Sequence, residues 1–355
     1  VSATLRALRP ILEDRAGGLS GKLVRAALWP MGLAMSAATK LRRSAFQARL
    51  FRARTVAVPV VSVGNLTAGG TGKTPLVALL AERVSAGGRR PAVAARGYAA
   101  RKGHAGDEER VLCDQIPGLI YEAGPDRAAA AARAAQRDAD VVILDDGFQH
   151  LRLARNLDIV ALDATHPFGG GRVLPAGLLR EPVSALGYAD LIVLTHTDEL
   201  SRQALDDLEQ RVRGLAPDAP IVHSLHEPAS LTELGSGTTR PIETLHGECV
   251  VALSAIGRPQ GFETTLARAG AHVAAHITFA DHHVYRAEDL QAAFRAAKDA
   301  QAHLVVTTQK DAANLAHLSV HPPGDMDVLV LAIRLRLVRN AEALDRALQR
   351  VLDHP

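Results

Sequence analysis

The stretch GNLTAGGTGKTP, residues 64–75, decides how the chain is read. It ends in Gly-Lys-Thr, as a nucleotide-phosphate loop does. A loop of the form G-x-x-x-x-G-K-[ST] would begin at position 67, where this chain has Thr67. The flanks resolve the mismatch. VAVPVVSV, 56–63, is a β-branched run that reads as a buried strand, and KTPLVALLAERV, 73–84, reads as a helix. Strand, glycine-rich turn and helix are the context that a phosphate loop requires. Gly69, Gly70 and Gly72 let backbone N–H groups turn inward, and the helix N-terminus adds its positive end. Thr67, Ala68 and Thr71 complete the loop. Lys73 would reach the β- and γ-phosphates, and the Thr74 hydroxyl would sit on Mg²⁺. The implied donor is ATP. Partner-activated ATPases carry a second lysine before the paired glycines; Ala68 stands there instead.

Outward from the loop, apolar runs alternate with helical stretches. Strands are expected at 56–63, 91–95, 141–145, 157–162, 190–195 and 219–223, with helices at 74–87, 126–137 and 200–214. That order predicts an α/β fold with a parallel sheet covered on both faces. Residues 226–248, rich in Pro, Gly, Ser and Thr, read as a linker. Beyond it, strands at 249–254, 272–279, 303–308 and 328–333 and helices at 259–269, 286–299 and 340–352 make a second, smaller α/β unit. The expected domains are an N-terminal helical segment at 1–54, a phosphate-loop core at 55–225, the linker, and a C-terminal domain at 249–355.

The totals set bounds. At 355 residues the chain is long enough for two domains, and 47% apolar residues can fill their cores. A net charge of +3 gives no basis for nucleic-acid binding. Cys113 and Cys249 form no C-x-x-C pattern, which fits a reduced compartment without a cysteine metal site. No short apolar region with a small-residue cleavage site follows Val1, so no cleaved leader is expected.

Residues 26–39, AALWPMGLAMSAAT, carry no charge and are followed by Lys40, Arg42, Arg43, Arg49, Arg52 and Arg54. As a helix this run measures about 21 Å, short of the roughly 30 Å of a bilayer core, and it contains Pro30. It suits either a helix lying in a membrane surface, its arginines on anionic headgroups, or a helix packed on the domain.

Further polar residues fall at strand ends. DVVILDDGFQH, 140–150, delivers Asp145 and Asp146 at the end of a buried strand, the usual source of the Mg²⁺-holding carboxylate. Gln149 and His150 follow at the same edge. Arg96, after the strand 91–95, is placed for a phosphate; Asp107 and Glu108 lie in the loop beyond. A kinase acting on a hydroxyl needs a carboxylate or histidine to orient and deprotonate it. GGGRVLPAGLLREP, 169–182, brings Arg172 and Arg180, suited to an anionic substrate. FADHHVY, 279–285, offers Asp281, His282 and His283, read as proton-handling or orienting groups rather than a metal site. TTQKD, 307–311, ends another strand, where Lys310 and Asp311 could face a site or cap a helix.

Taken in order, GNLTAGGTGKTP, ARGYAAR, GDE, DDGFQHLRLARNLDIVALDA, LPAGLLREP, FADHHVY and TTQKD resemble the tetraacyldisaccharide 4′-kinase family over about residues 10–335. In that family the first loop glycine is normally Ser or Thr. The resemblance implies two α/β/α domains closing over a cleft, an N-terminal membrane helix, and work at the cytoplasmic face of the bacterial inner membrane. It implies transfer of the ATP γ-phosphate to the 4′-hydroxyl of a tetraacylated disaccharide 1-phosphate. Asp107 would be the base and His282 its orienting partner. Lys73, Thr74, Asp145 and Asp146 would handle ATP and Mg²⁺. Arg96, Glu108, Gln149, His150 and Arg180 would lie near the transferred phosphate or the substrate. The base and its partner are expected on separate domains, so that closure assembles the site. No obligate protein partner is implied. The chain departs from the family at Glu109, where Pro is common, at Gln309, where Glu is usual, and at Ala95, where Ser is usual.

Two other functions are available to a phosphate loop. A switch NTPase would need a guanine-reading N-K-x-D or a second loop lysine; the strand 190–195 is followed by His196-Thr197-Asp198, with no such lysine. A membrane-bound scaffold with a vestigial loop would turn over no ATP.

Overall fold

The computed structural model describes residues 19–97, 106–280, 283–315, 318 and 321–353. In chain order the elements are α1 (Leu19–Gln47), β1 (Val60–Gly64), α2 (Lys73–Ala86), β2 (Pro91–Ala95), α3 (Asp107–Gln115), β3 (Ile120–Ala123), α4 (Arg127–Gln136) and β4 (Val141–Asp145). There follow β5 (Leu157–Asp163), β6 (Leu191–Thr195), α5 (Arg202–Leu215), β7 (Ile221–Glu233), β8 (Thr239–Arg240), β9 (Cys249–Ser254) and α6 (Pro259–Arg268). The last are β10 (His272–Thr278), α7 (Ala287–Asp299), β11 (Leu304–Thr308), α8 (Gln309–Leu315), β12 (Asp327–Arg339) and α9 (Ala341–Asp353).

The chain groups into two compact units. The first takes Val1–Gly97, Ile116–Leu225 and Arg336–Pro355, and the second Tyr98–Gln115 and His226–Leu335. This differs from a division at one linker in two places: α3 belongs with the second unit, and α9 returns to the first. The segment 226–248 is also more ordered than its composition suggests. β7 continues to Glu233, and Leu231 and Thr232 pair with Arg240 and Thr239 of β8. Buried Leu231 anchors this stretch despite Pro228.

In the first unit the strand order is β7-β6-β5-β1-β4-β2-β3, and the pairings are parallel. β1, β2, β4, β5 and β6 are buried at every position, which is why they read as continuous apolar runs rather than alternating ones. β1 lies between β4 and β5, with Val63 opposite both Asp145 and Ile159. The loops leaving β1 and β4 therefore meet at the carboxyl edge, where open α/β sheets bind ligands.

In the second unit the order is β10-β9-β11-β12-β7. Val251 and Leu253 share a core with Leu290, Ala293 and Phe294 of α7, whereas Val250 and Ala252 share one with Phe262 and Leu266 of α6. Alternate residues of one strand thus serve opposite faces, and helices cover both.

α1 is seated on the first unit along a narrow seam. Gly32, Ser36, Thr39 and Arg43 are its more buried positions, at the 3–4 spacing of one helical face. Any Cβ at residue 32 would lie 2.8 Å from the Ala176 Cβ and 2.9 Å from the Val173 oxygen, so glycine permits this approach. Helix α1 continues through Pro30. Trp29, Met31, Leu33 and Met35 are exposed.

Candidate active site

The phosphate loop lies in the first unit. Gly72 has φ 77°, a left-handed conformation that favours glycine, and precedes the first residue of α2, Lys73. Asn65 braces the loop from inside: its amide donates to the Thr67 oxygen (2.8 Å) and the Thr71 hydroxyl (3.0 Å). The Thr195 hydroxyl holds the Thr71 oxygen at 3.1 Å.

Thr67 is buried and strand-like. It pairs antiparallel with Leu179, flanked by Ala68 N–H to Leu178 oxygen (2.8 Å) and Arg180 N–H to Leu66 oxygen (2.7 Å). A β-branched residue suits this extended pairing better than glycine. The same pairing fixes the LPAGLLREP segment beside the loop and delivers Arg180.

Asp145 ends β4 and is buried. Asp146 follows in the left-handed region, φ 52°. Its carboxylate receives Arg180 Nη1 at 2.7 Å on both oxygens, and Lys73 Nζ lies 3.5 Å from Oδ1. Arg127 Nη1 donates to the Asp146 carbonyl oxygen at 2.8 Å. Burial would raise the Asp146 pKa, but Lys73, Arg180 and Arg127 outweigh it and hold the carboxyl below its ordinary value. The turn that follows interlocks with β1. A Cβ on Gly64 would sit 2.4 Å from the Phe148 Cβ, so the glycine opening GNLTAGGTGKT is what admits the Phe of DDGFQH.

The remaining sequence candidates fall in different places. Gln149 donates to the Asn65 oxygen at 2.9 Å, bracing the phosphate loop. His150 is half-buried and lines a separate basic cleft. Arg96 follows β2 at an exposed position. Glu108 is the second residue of α3 in the second unit. Asp107 begins α3, but its side chain lies outside the described set, as does residue His282 with Asp281. α3, which begins at Asp107, groups with the second unit, whereas the sequence reading placed residue 107 in the phosphate-loop core.

The second unit supports the GDE and DHH segments. His283 Nε2 lies 2.9 Å from Asp289 Oδ2 and its ring stacks on Phe279 at 4.4 Å. Asp311 is buried and accepts from the Thr308 hydroxyl (2.6 Å) and Ala255 N–H (3.1 Å), a bracing role. Two family departures have local partners. Glu109 accepts from Gly106 N–H at 3.4 Å, and Gln309 accepts from the Gln115 amide at 3.0 Å, tying α8 to α3.

Sequence reasoning missed Arg127 and Glu181, and it set Arg43 among the headgroup-facing arginines, whereas Arg43 is buried. Arg127 opens α4 just beyond the short loop that leaves β3, at the ligand edge of the sheet, and that position was the available signal. Arg43 and Glu181 form a buried pair at 2.6 Å, with Arg43 also stacked on Phe148 and Tyr188. No local pattern joins residues so far apart in sequence.

The donors suit Mg²⁺. The Thr74 hydroxyl and the Asp145 carboxylate would offer it oxygen donors, whereas Asp146, the third residue read as a metal holder, is already engaged by cations. Among the described residues no cluster of three His, Cys, Asp or Glu forms a protein-only metal cage. Mg²⁺ needs none, since phosphate oxygens and water complete its shell.

Residues 24–353 match the family model described as "Tetraacyldisaccharide-1-P 4'-kinase". The chain is 39% identical over 353 residues to the tetraacyldisaccharide 4′-kinase of Anaeromyxobacter dehalogenans strain 2CP-C, covering 95% of this chain and 93% of that protein. It is 38% identical to the Geobacter metallireducens protein of the same name, covering 93% and 99%. The crystal structure of LpxK from Aquifex aeolicus in complex with ATP superposes with a TM-score of 0.70 at 25% identity, covering 93% of this chain and 99% of that one.

Proposed function

The chain belongs to the tetraacyldisaccharide 4′-kinase family, and from that premise we propose how its own residues carry the reaction. The activity is ATP-dependent transfer of the γ-phosphate to the 4′-hydroxyl of tetraacyldisaccharide 1-phosphate, in lipid A biosynthesis. The observation that carries the residue assignment is the grip of Lys73 and Arg180 on Asp146 beside the phosphate loop.

The loop N–H groups and the α2 N-terminus hold the ATP phosphates. Lys73 and Arg180, gathered on Asp146 beside the loop, take the γ-phosphate and stabilise the charge that spreads over its oxygens. Arg127 holds the Asp146 backbone in register. Thr74 and Asp145 would hold Mg²⁺, which would neutralise charge on the transferring phosphates. Asp107 takes the proton from the 4′-hydroxyl as that oxygen bonds to phosphorus, the bond to the β-phosphate oxygen breaks, and ADP leaves. His282 orients Asp107. These last two roles rest on motif match alone.

α1 keeps the enzyme on the membrane at its cytoplasmic face. Residues 26–39 have no charge, and outside the narrow seam they are exposed, which fits a helix immersed in a lipid interface. Among the described residues no helix is long and apolar enough to cross a membrane. The test is a kinase assay with lipid disaccharide monophosphate, ATP and Mg²⁺ on the full chain and on Asp107→Ala and His282→Ala. Wild-type rates in either variant reject its assigned role; ATP hydrolysis indifferent to lipid rejects the acceptor.

A further inference from the structure

Two consecutive arginines of α1 reach the active-site segments. Arg42 Nη1 donates to the Gln149 carbonyl oxygen at 3.0 Å, and Arg43 Nη2 to the Phe148 carbonyl oxygen at 3.2 Å. The same Arg43 nitrogen donates to Glu181 Oε2 at 2.6 Å. Phe148 and Gln149 belong to the turn that begins at Asp146, and Glu181 is the neighbour of Arg180. One guanidinium from α1 therefore spans the two segments whose side chains meet in the Asp146–Arg180 pair. α1 also touches the Arg180-bearing segment further along, where Gly32 packs on Val173 and Ala176.

The turn needs holding. Asp146 sits at φ 52°, a left-handed conformation that is unfavourable for a residue with a side chain and persists only where its surroundings impose it. Gly147 N–H donates to the Val63 oxygen at 2.9 Å and His150 N–H to the Gly147 oxygen at 2.7 Å. Arg127 takes the Asp146 oxygen, and α1 takes the next two side-chain-bearing carbonyls, at 148 and 149. Gln149 in turn donates to the Asn65 oxygen, and Asn65 braces the phosphate loop. A chain of hydrogen bonds thus runs from α1 through the turn to the loop.

Stability alone does not account for Arg43. Its guanidinium lies between the Phe148 and Tyr188 rings, 4.5 and 4.7 Å from their centres, and its Nε has no hydrogen-bond partner among the described residues. A buried ion pair with an unmatched donor stabilises a fold no better than apolar side chains of the same volume. Apolar side chains cannot supply direction. A fork that holds a carboxylate and a carbonyl together fixes the spacing of the backbones that carry them.

We propose that Arg43 is a positioning residue for phosphoryl transfer. From α1 it sets the spacing between the Asp146 turn and the Arg180 segment, and so the place of Arg180 and Lys73 on the transferring phosphate. The proposal rests on the kinase reading above. It makes α1 a strut of the active site. Misplacement by about 1 Å lowers a rate up to about a hundredfold, because preorganised charge must stand where the transition-state charge develops.

The test compares full-length wild type with Arg43→Lys and with the double variant Arg43→Met/Glu181→Met. The Lys variant keeps a charge for Glu181 but loses the fork. The Met pair fills the volume without charge. Each protein is followed by urea unfolding, by steady-state kinetics with ATP and lipid disaccharide monophosphate, and by amide exchange at Gly147 and His150. The Met pair should keep a near wild-type urea midpoint while kcat falls about tenfold or more and both KM values stay within about twofold. The Lys variant should fall between it and wild type. Exchange at the two amides should quicken at least about tenfold in the Met pair. Wild-type kcat in the Met pair overturns the proposal, as does a kcat loss matched by an equal rise in KM, which marks a general loosening. If the Met pair does not fold, the Lys variant decides by the same criteria. If wild type transfers no phosphate to the lipid, the kinase reading fails instead. The exchange rates then decide whether Arg43 holds the turn: faster exchange sustains that placement, and unchanged exchange overturns it.

Discussion

Arg180 sets one guanidinium nitrogen 2.7 Å from both carboxylate oxygens of Asp146. The two residues are brought together by a backbone ladder: the LPAGLLREP segment pairs with the first half of the phosphate loop. The cation is therefore positioned by the same residues that shape the loop.

Replacing Arg180 by Ala should lower kcat about 10²–10³-fold, the usual loss when one preorganised charge donor is removed. ATP affinity should change less, because the loop N–H groups remain. Lys at 180 should recover only part of the rate, since it lacks the planar fork. Steady-state kinetics on both substrates checks this; an unchanged kcat in the Ala variant refutes the placement.

The Arg43–Glu181 pair makes a stability prediction. Both side chains are nearly inaccessible, at 6% and 3% exposure. Removing either partner strands a buried charge and should cost about 3–5 kcal/mol, read from urea unfolding. Replacing both by apolar residues of similar volume should restore most of it. Protease sensitivity within α1 should rise in each single variant, because Arg43 is its last buried anchor.

Thr67→Gly would restore the general phosphate-loop pattern. It should nonetheless destabilise the protein by about 1 kcal/mol, through added freedom in the unfolded chain and lost strand packing. ATP affinity should not improve. A tighter-binding variant of equal stability would show that the Thr67–Leu179 pairing carries nothing.

His150 gives a pH dependence. Its folded pKa of about 4 lies below the ordinary 6.5. As pH falls through 6.5 the unfolded chain takes up a proton that the folded chain refuses. Stability should therefore decline from about pH 6.5 to about 4 and then level. His150→Gln should remove this contribution. Imidazole chemical shifts should titrate near 4 in the folded protein.

Much of the fold was legible because buried parallel strands have nowhere to place polar residues. β2, β4 and β9 coincide with the runs read at 91–95, 141–145 and 249–254. β3 and the second half of β7 were not legible: β3 has four residues of which one is fully buried, and β7 beyond Leu225 is mixed in burial. Short or half-exposed strands lack a hydrophobic signature.

The sequence by itself determined the phosphate loop, the acidic strand end and the family motifs, because each is a contiguous run whose chemistry follows from residue type and spacing. Tertiary structure alone decided that Thr67 belongs to a ladder, that Asp146 is gripped by Lys73 and Arg180, that Arg43 is buried on Glu181, and that α3 belongs to the second unit. These are contacts between distant segments. Local propensity does not encode them; they form only when packing brings the segments to a common edge, where burial makes each charge require its partner.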